Sequence, residues 1–335
     1  LCHLFAAGFI TLAATRTDYN SLYTLVLLSV MFYMPTIALS NSVAYNALEK
    51  AGLDTVTHFP PIRVWGTVGF ICAMWVVDLG KMGLSATQLY FSATLGLILG
   101  LYSFTLPNCP INRSGGGKSI VDLLGLRAFA LFKQRKMAIF FIFSMLLGMS
   151  LQITNAFADG YIKSFGDTGI HGAKYLGTFG VEHSTILISL SQISETLCIL
   201  LIPFFLKRFG IKRVMLIAMF AWVLRFALLG AGNPGPGVWM FILSMIVYGV
   251  AFDFFNISGS LFVEKETSAA IRSSAQGVFM IMTNGLGALI GSYLAGWVVN
   301  HYGWPLSWYL FAGFSLVVAI VFAVIFKYKH DPNRI

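Results

Sequence analysis

Ten long apolar runs most constrain how this chain can fold, because a helix of about 20 apolar residues crosses the hydrocarbon core of a bilayer. Hydrophobic residues make up 57% of the sequence and charged residues 10%, a balance outside the range of soluble domains. Polar and apolar residues do not alternate along the runs as they would in a membrane β-barrel. We therefore predict an all-α polytopic membrane protein with ten transmembrane helices, at about residues 1–15, 21–43, 63–79, 84–106, 137–157, 184–206, 211–231, 237–258, 273–299 and 305–327.

The basic residues predict which side of the membrane each connection faces. The net charge is +9, but Lys and Arg collect in particular connections instead of along one face, so we expect no nucleic-acid partner. Connections 107–136 and 207–213 and the tail 328–335 carry Lys and Arg, whereas 232–236 and 300–304 contain neither. Since basic connections stay in the cytoplasm, the pattern predicts a multi-pass protein of the cytoplasmic membrane with a cytoplasmic C-terminus.

The connection 107–136 is the longest break between apolar runs, with four predicted spans before it and six after it. Within it, SIVDLLGLRAFALFKQRK at 119–136 has apolar residues at helical spacing and a basic end, which predicts a cytoplasmic surface helix. Many transporters consist of two six-helix halves. We interpret 1–106 as the rest of an N-terminal half (helices 3 to 6) and 137–327 as a C-terminal half (helices 7 to 12), followed by the tail 328–335. Because the chain begins without Met inside an apolar run, we expect the first two helices to be missing.

No sequence pattern points to a metal or a cofactor. The four cysteines have no paired spacing, and the six histidines form no metal-binding motif. SGGGKS at 114–119 ends like a phosphate-binding loop, but Asn112 stands where that motif needs glycine, so a flexible link is the better interpretation. GLGALIG contains Gly287 and Gly291 four residues apart, a spacing typical of closely packed membrane helices.

FPPIRVWGTVGF at 59–70 opens the third span, and its two prolines are expected to end any earlier helix and to begin this one. Arg63, Thr67 and Phe70 follow at spacings of four and three residues, which places them on one helix face. A cation, a hydroxyl and an aromatic ring on one stripe suit a polar ligand that contains a ring. The alternative is that Arg63 extends to the cytoplasmic headgroups of the lipids.

Two other spans carry pairs of polar residues three positions apart: Gln152 and Asn155 in LQITNAF, and Gln192 and Glu195 in SQISETL. Each pair projects from one side of its helix. Amide and carboxylate groups recognise hydroxyls and heterocycle edges through hydrogen bonds. Hydrogen bonds between helices are an alternative for the amides. A carboxylate at membrane depth is costly, and no Lys or Arg lies in the span of Glu195, so a functional role is favoured there.

IVYGVAFDFFNISGS at 246–260 places Tyr248, Phe252 and Asn256 on one face of the eighth span. Asp253 points about 100 degrees away from Phe252. Arg225, in the preceding span, carries the opposite charge. An Arg225–Asp253 pair could be purely structural, or it could open and close as a proton binds and leaves.

These strings, together with MAIFFIFSMLLG, LKRFGIK, LRFAL and SMIVYGVAFDFFNISGSLFVEKE, resemble the bacterial nucleoside:proton symporters of the major facilitator superfamily over essentially the whole chain. The resemblance implies the major facilitator fold of twelve helices, with this chain beginning at the third. It also implies a nucleoside site, and the corresponding residues of this chain are Arg63, Thr67, Phe70, Gln152, Asn155, Gln192, Glu195, Tyr248 and Phe252.

The function expected from these residues is proton-coupled import of nucleosides across the inner membrane by alternating access, without a cofactor and by a monomer. Glu195 and Asp253, with Arg225 as a partner, are the candidates for proton coupling, since burial can bring a carboxylate to titrate near neutral pH. A symporter of another polar solute, such as a sugar, would show similar stripes. An enzyme or a receptor would need catalytic residues at a helix end or a sizeable soluble domain, and the sequence offers neither.

Overall fold

The computed structural model describes residues 1–53, 55–83, 85–106, 126–168, 173–268 and 271–328, and every regular element in these ranges is helical. The chain divides into two compact units, Leu1–Ser114 and Gly115–Ile335. The division falls inside the long polar link at 107–136. An all-helical membrane architecture, as predicted, is therefore confirmed for the described part of the chain.

The described part of the first unit contains four helices, and α1 (Cys2–Ala13) packs against both α2 (Tyr19–Lys50) and α4 (Thr87–Tyr102). The Ser29 hydroxyl donates a hydrogen bond to the Ala6 carbonyl at 2.9 Å and so links α2 to α1. Asp18 caps α2, and hydrogen bonds from the side chain and the backbone of Ser21 hold the pKa of this carboxyl below its usual value. The helices are α1 (Cys2–Ala13), α2 (Tyr19–Lys50), α3 (Thr55–Leu79) and α4 (Thr87–Tyr102), which a 3-10 turn, Ser103–Thr105, follows.

The start of α3 differs from the expectation drawn from its prolines. The helix begins at Thr55, so Pro60 and Pro61 lie in its second turn instead of opening it. Proline removes a backbone hydrogen bond from a helix. Membrane helices nevertheless accommodate proline where neighbouring groups satisfy the freed carbonyls. The prediction that these prolines begin the helix is wrong.

The second unit is built around α6 (Ser184–Ala231) and α7 (Val238–Glu266), which pack along each other. The helix α10 (Trp304–Ile325) packs against α6, and α5 (Arg135–Ser164) packs against α9 (Ala288–Tyr302). Its aromatic core includes Phe140, which meets Phe262 and Phe279 at ring-centroid distances of 4.7 and 5.3 Å. The elements are a 3-10 helix (Leu126–Lys133), α5 (Arg135–Ser164), one turn at Phe179–Glu182, α6 (Ser184–Ala231), α7 (Val238–Glu266), α8 (Arg272–Met280), a π-helical segment (Ile281–Gly287), α9 (Ala288–Tyr302) and α10 (Trp304–Ile325).

The surface helix predicted at 119–136 is found only in part. Residues 119–125 lie outside the described ranges, and Leu126–Lys133 forms a 3-10 helix instead of an α-helix. Ala128 and Leu131 are buried in the core of the second unit. The eight-residue segment therefore uses its apolar positions for packing against the bundle.

Six helices among the described residues are long and apolar enough to cross a membrane. One of them, α6, has 48 residues, which is about 72 Å of helix and more than twice the thickness of a bilayer core. Its backbone leaves the helical region at Gly210, where φ is 75° and ψ is 165°, inside the predicted connection 207–213. The number of ten spans stays a prediction. The six helices are Tyr19–Ile37, Arg135–Ser164, Ser184–Ala231, Val238–Glu266, Ser274–Tyr302 and Trp304–Ile325.

Glycines in GLGALIG allow the backbones of two helices to touch, as their spacing predicts. A Cβ atom on Gly287 would lie 2.6 Å from the Met145 carbonyl oxygen, and one on Gly291 would lie 2.7 Å from Met149 Cα. Both contacts are with backbone atoms of α5, which cannot move aside as a flexible side chain can. Close packing of the π-helical segment and α9 on α5 therefore requires glycine at these two positions.

We expect Gly291→Ala to lower the stability of the folded protein by about 1–3 kcal/mol, because the added methyl group overlaps the α5 backbone. The measurement is the midpoint of thermal unfolding of the purified protein in detergent. Gly313→Ala in α10 is the matched control, since its Cβ would have no neighbour within 4 Å. Equal midpoints for the two variants would contradict the packing role of Gly291.

Candidate functional site

Polar side chains from three helices of the second unit meet at Tyr248 of α7. Tyr248 is 4% exposed and lies within hydrogen-bonding reach of Asn155 on α5. It also lies within electrostatic range of Glu195 on α6. A hydroxyl, an amide and a carboxylate from three different helices thus converge, although they are widely separated in the sequence.

A close crossing of α6 and α7 places Glu195 beside Tyr248. A Cβ atom on Gly249 would lie 2.6 Å from the Ser194 carbonyl carbon and oxygen, so the two backbones are nearly in contact. The Ser194 hydroxyl donates a hydrogen bond to the Ile246 carbonyl at the same crossing. Since Glu195 and Tyr248 are the chain neighbours of Ser194 and Gly249, this crossing fixes the distance between the site side chains.

Arg225 of α6 contacts α7 at Ser244 and Tyr248, which precede Asp253 by nine and five residues. It is 1% exposed, and it donates a hydrogen bond to the Ser244 carbonyl at 2.5 Å. Its guanidinium carbon lies 4.6 Å from the centre of the Tyr248 ring. Ser244 and Asp253 are nine residues apart, about 13 Å along a helix. Asp253 is 3% exposed, and the proposed Arg225–Asp253 pair stays a prediction.

Three aromatic rings line one side of the site. The Tyr248 and Phe252 rings stack at a centroid distance of 5.8 Å, and the Trp222 ring meets Tyr248 edge to face at 6.0 Å. A cavity of about 310 Å³, counting its open mouth, lies against Trp222 and Phe252. Aromatic faces suit the flat surface of a ring-containing ligand, and the neighbouring amides and carboxylate suit its polar edge. The cavity lining is Leu147, Gly148, Leu151, Trp222, Ala251, Phe252, Phe255, Asn256, Thr283 and Asn284.

The site residues that the sequence predicts in the second unit fall into two groups. Asn155 and Phe252 contact Tyr248, and Glu195 lies within electrostatic range of it. Gln152 and Gln192 are half-buried on the same helices, one turn before Asn155 and Glu195. Their roles as ligand contacts stay predictions.

The three predicted site residues of the first unit lie on α3. Thr67 is half-buried and Phe70 is exposed. The side chain of Arg63 lies outside the described part of the structure. Their contribution to a ligand site stays a prediction.

Among the lining residues that sequence reasoning missed are Trp222, Thr283 and Asn284, which have polar or large aromatic side chains. Trp222 lies in an apolar run, where a tryptophan is normally interpreted as part of the hydrophobic core, so no sequence signal pointed to it. Thr283 and Asn284 interrupt the run 273–299, and their polarity at membrane depth was a usable signal. No sequence pattern indicated that α7 and the π-helical segment face each other across the cavity.

Comparisons with known proteins agree over nearly the whole chain. A family model described as "Nucleoside H+ symporter" matches residues 1–331. The chain is 51% identical to nucleoside permease NupG of Escherichia coli K12, over 98% of this chain and 80% of that protein, and 50% identical to xanthosine permease of the same organism, over 100% and 81%. A crystal structure of nucleoside transporter NupG superposes with a TM-score of 0.87, and that of a NupG mutant with 0.91. These cover 98% and 97% of this chain and 82% of each of those chains. The resemblance found in the sequence is thereby confirmed.

The contacts of Tyr248 predict that its ring and its hydroxyl have separate roles. Tyr248→Leu removes the ring that faces the Arg225 guanidinium, so we expect a loss of about 1–2 kcal/mol of stability from the lost cation–π contact. Tyr248→Phe keeps the ring and should unfold within about 0.5 kcal/mol of the unmodified protein. Thermal unfolding in detergent measures both, and equal losses for the two variants would contradict a supporting role of the ring.

Proposed function

The chain belongs to the nucleoside H+ symporter family, and we propose that it imports nucleosides together with protons across the cytoplasmic membrane by alternating access. It is a membrane-embedded transporter and not an enzyme, as its relatives are nucleoside permeases. The single structural observation that supports a nucleoside as cargo is the position of Tyr248, within hydrogen-bonding reach of Asn155, within electrostatic range of Glu195, and in contact with the Phe252 and Trp222 rings.

A nucleoside offers three kinds of surface, and the site offers a group for each. The face of the base is flat and apolar, which suits Phe252 and Tyr248. The ribose hydroxyls and the edge of the base both donate and accept hydrogen bonds, which suits Gln152, Asn155 and Gln192. The Glu195 carboxylate accepts hydrogen bonds when ionised, as the ribose hydroxyls require.

Several finer parts of this proposal rest on sequence patterns. The predicted twelve-helix major facilitator architecture and the contribution of Arg63, Thr67 and Phe70 follow from the resemblance to the family. The cytoplasmic C-terminus follows from the distribution of Lys and Arg. The expected monomer stays a prediction.

Proton coupling requires a carboxylate that gains and loses a proton during the cycle. Glu195 is half-buried, Asp253 is nearly inaccessible and points about 100 degrees around α7 from Phe252, and both carboxylates lie within electrostatic range of Tyr248. We therefore propose Glu195 as the carboxylate that contacts substrate and Asp253 as a carboxylate that couples proton binding to helix packing. One charge moved through 100 mV provides about 2.3 kcal/mol. At about 1.4 kcal/mol per tenfold, this supports roughly a 50-fold gradient of nucleoside.

Uptake of radiolabelled nucleosides by cells that lack their own nucleoside carriers tests the proposal. We expect uptake that an acidic external pH stimulates and that a protonophore abolishes. Glu195→Gln should reduce the initial rate at least about tenfold and flatten its pH dependence, because the amide cannot take up the proton or accept hydrogen bonds on both atoms.

The matched control for Glu195→Gln is Glu182→Gln, the same chemical change at an exposed residue of the single turn at Phe179–Glu182. It should leave both the rate and the pH dependence unchanged. Nucleoside uptake that depends neither on the external pH nor on the protonophore would contradict the proposed coupling. Unchanged uptake in Glu195→Gln would remove Glu195 from the mechanism.

Asp253→Asn separates coupling from binding. Counterflow exchange of internal for external nucleoside needs no net movement of protons, whereas uptake against a gradient does. We expect the variant to keep exchange and to lose pH-driven accumulation. Asp167→Asn, at an exposed position after α5, is the control that should keep both. Equal loss of exchange and accumulation in Asp253→Asn would contradict a role confined to coupling.

A further inference from the structure

The cavity has a polar wall in which Thr283 and Asn284, outside the predicted stripes, meet Asn256 from the predicted Tyr248–Phe252–Asn256 face. Thr283 and Asn284 line it from the π-helical segment, and Asn256 lines it from α7. Trp222 and Phe252 complete the wall with aromatic rings. Through Phe252, which stacks on Tyr248, this wall continues directly from the site proposed to bind nucleosides.

The backbone of the wall departs from ordinary helix geometry at these residues. In a π-helix each turn holds one more residue than in an α-helix, so it widens the helix locally; such turns are rare and recur at functional sites. Here the widened turn rests on α5, since a Cβ atom on Gly148 would lie 2.1 Å from the Thr283 carbonyl oxygen. Contact with the glycine of α5 therefore holds the turn in place, and two consecutive polar residues reach the cavity.

The polar groups of the wall differ in what they can still bind. The Thr283 hydroxyl donates to the Phe279 carbonyl at 2.9 Å, so its proton is already used within the helix. The Asn284 amide nitrogen contacts the Met280 sulfur at 3.5 Å, and thioether sulfur is a weak acceptor. Asn284 is exposed and Asn256 is half-buried at the cavity. Both amides can therefore exchange hydrogen bonds with a ligand.

We propose that Asn256 and Asn284 are specificity-determining residues that bind the edge of the nucleobase, while Phe252 contacts its face and the buried Trp222 supports the cavity from behind. This inference rests on the proposed nucleoside import. An amide carries a donor and an acceptor side by side, the arrangement that base edges also present, and asparagine pairs with such edges in other proteins. Ribose hydroxyls rotate freely to donate or accept, so they do not require this fixed pattern.

The test compares the transport of nucleosides whose base edges carry different donors and acceptors. Asn256→Leu and Asn284→Leu keep similar volume and remove the hydrogen bonds. We expect each to change the ratio of kcat/KM for adenosine to that for uridine by about tenfold, the effect of one hydrogen bond to substrate. Asn284→Gln, which keeps the amide, should return the ratio at least partly toward that of the unmodified protein.

Asn300→Leu is the matched control, the same change at an exposed asparagine of α9 about 24 Å along the helix from Asn284. It should leave the ratio unchanged. Rates are divided by the amount of each variant in the membrane. The nucleoside-induced rise in unfolding temperature, measured in detergent for adenosine and uridine, gives a second readout for any variant that transports poorly.

The outcomes separate this inference from the function on which it rests. If the unmodified protein imports nucleosides but both leucine variants keep its adenosine-to-uridine ratio in both readouts, the assignment of Asn256 and Asn284 is overturned and nucleoside import stands. If the unmodified protein imports no nucleoside, the proposed function itself fails. A changed ratio in the two leucine variants, with the control unchanged, supports the assignment.

Discussion

Backbone contact between helices is the constraint on which the rest of the second unit depends. Membrane helices gain little from hiding apolar side chains from one another, because lipid is equally apolar, so close packing must hold them together. Gly249 brings α7 onto Ser194 of α6, and Gly148 brings α5 onto Thr283. One contact aligns Glu195 with Tyr248, and the other holds the widened turn at the cavity. Glycines, which have no functional side chain, thus position the polar site.

The surroundings of Arg225 show how the second unit accommodates a buried charge whose desolvation costs free energy. An arginine at membrane depth costs free energy unless the protein supplies partners. Here the Ser244 carbonyl and the Tyr248 ring face the guanidinium, and the Ser244 hydroxyl donates back to the Arg225 carbonyl at 3.1 Å. Tyr248 therefore joins the charged group to the proposed ligand site, since it lies within hydrogen-bonding reach of Asn155 and within electrostatic range of Glu195. A change in the proposed site would reach Arg225 through a single ring.

The geometry of α7 offers a link between the proposed substrate contacts and the proposed coupling carboxylate. Phe252 lines the cavity and stacks on Tyr248, whereas Asp253 follows Phe252 and points about 100 degrees away around the helix. A rotation or shift of α7 that accompanies ligand binding would change the surroundings of Asp253 at the same time. Coupling of this kind needs only one helix with two functional faces.

The sequence alone determined the helical membrane class, the glycines of close packing and the pairs of polar residues that share a helix face. These follow from the lengths of apolar runs and from the 3.6-residue period, which are local properties. Only the tertiary structure decided that Arg225 rests on Ser244 and Tyr248, that α3 continues through Pro60 and Pro61, and that Asn284 shares a cavity with Asn256. Helical spacing says which residues lie on one face, but not which faces meet. The turn that carries Thr283 depends on Gly148, 135 positions earlier, and no local pattern encodes a contact over that distance.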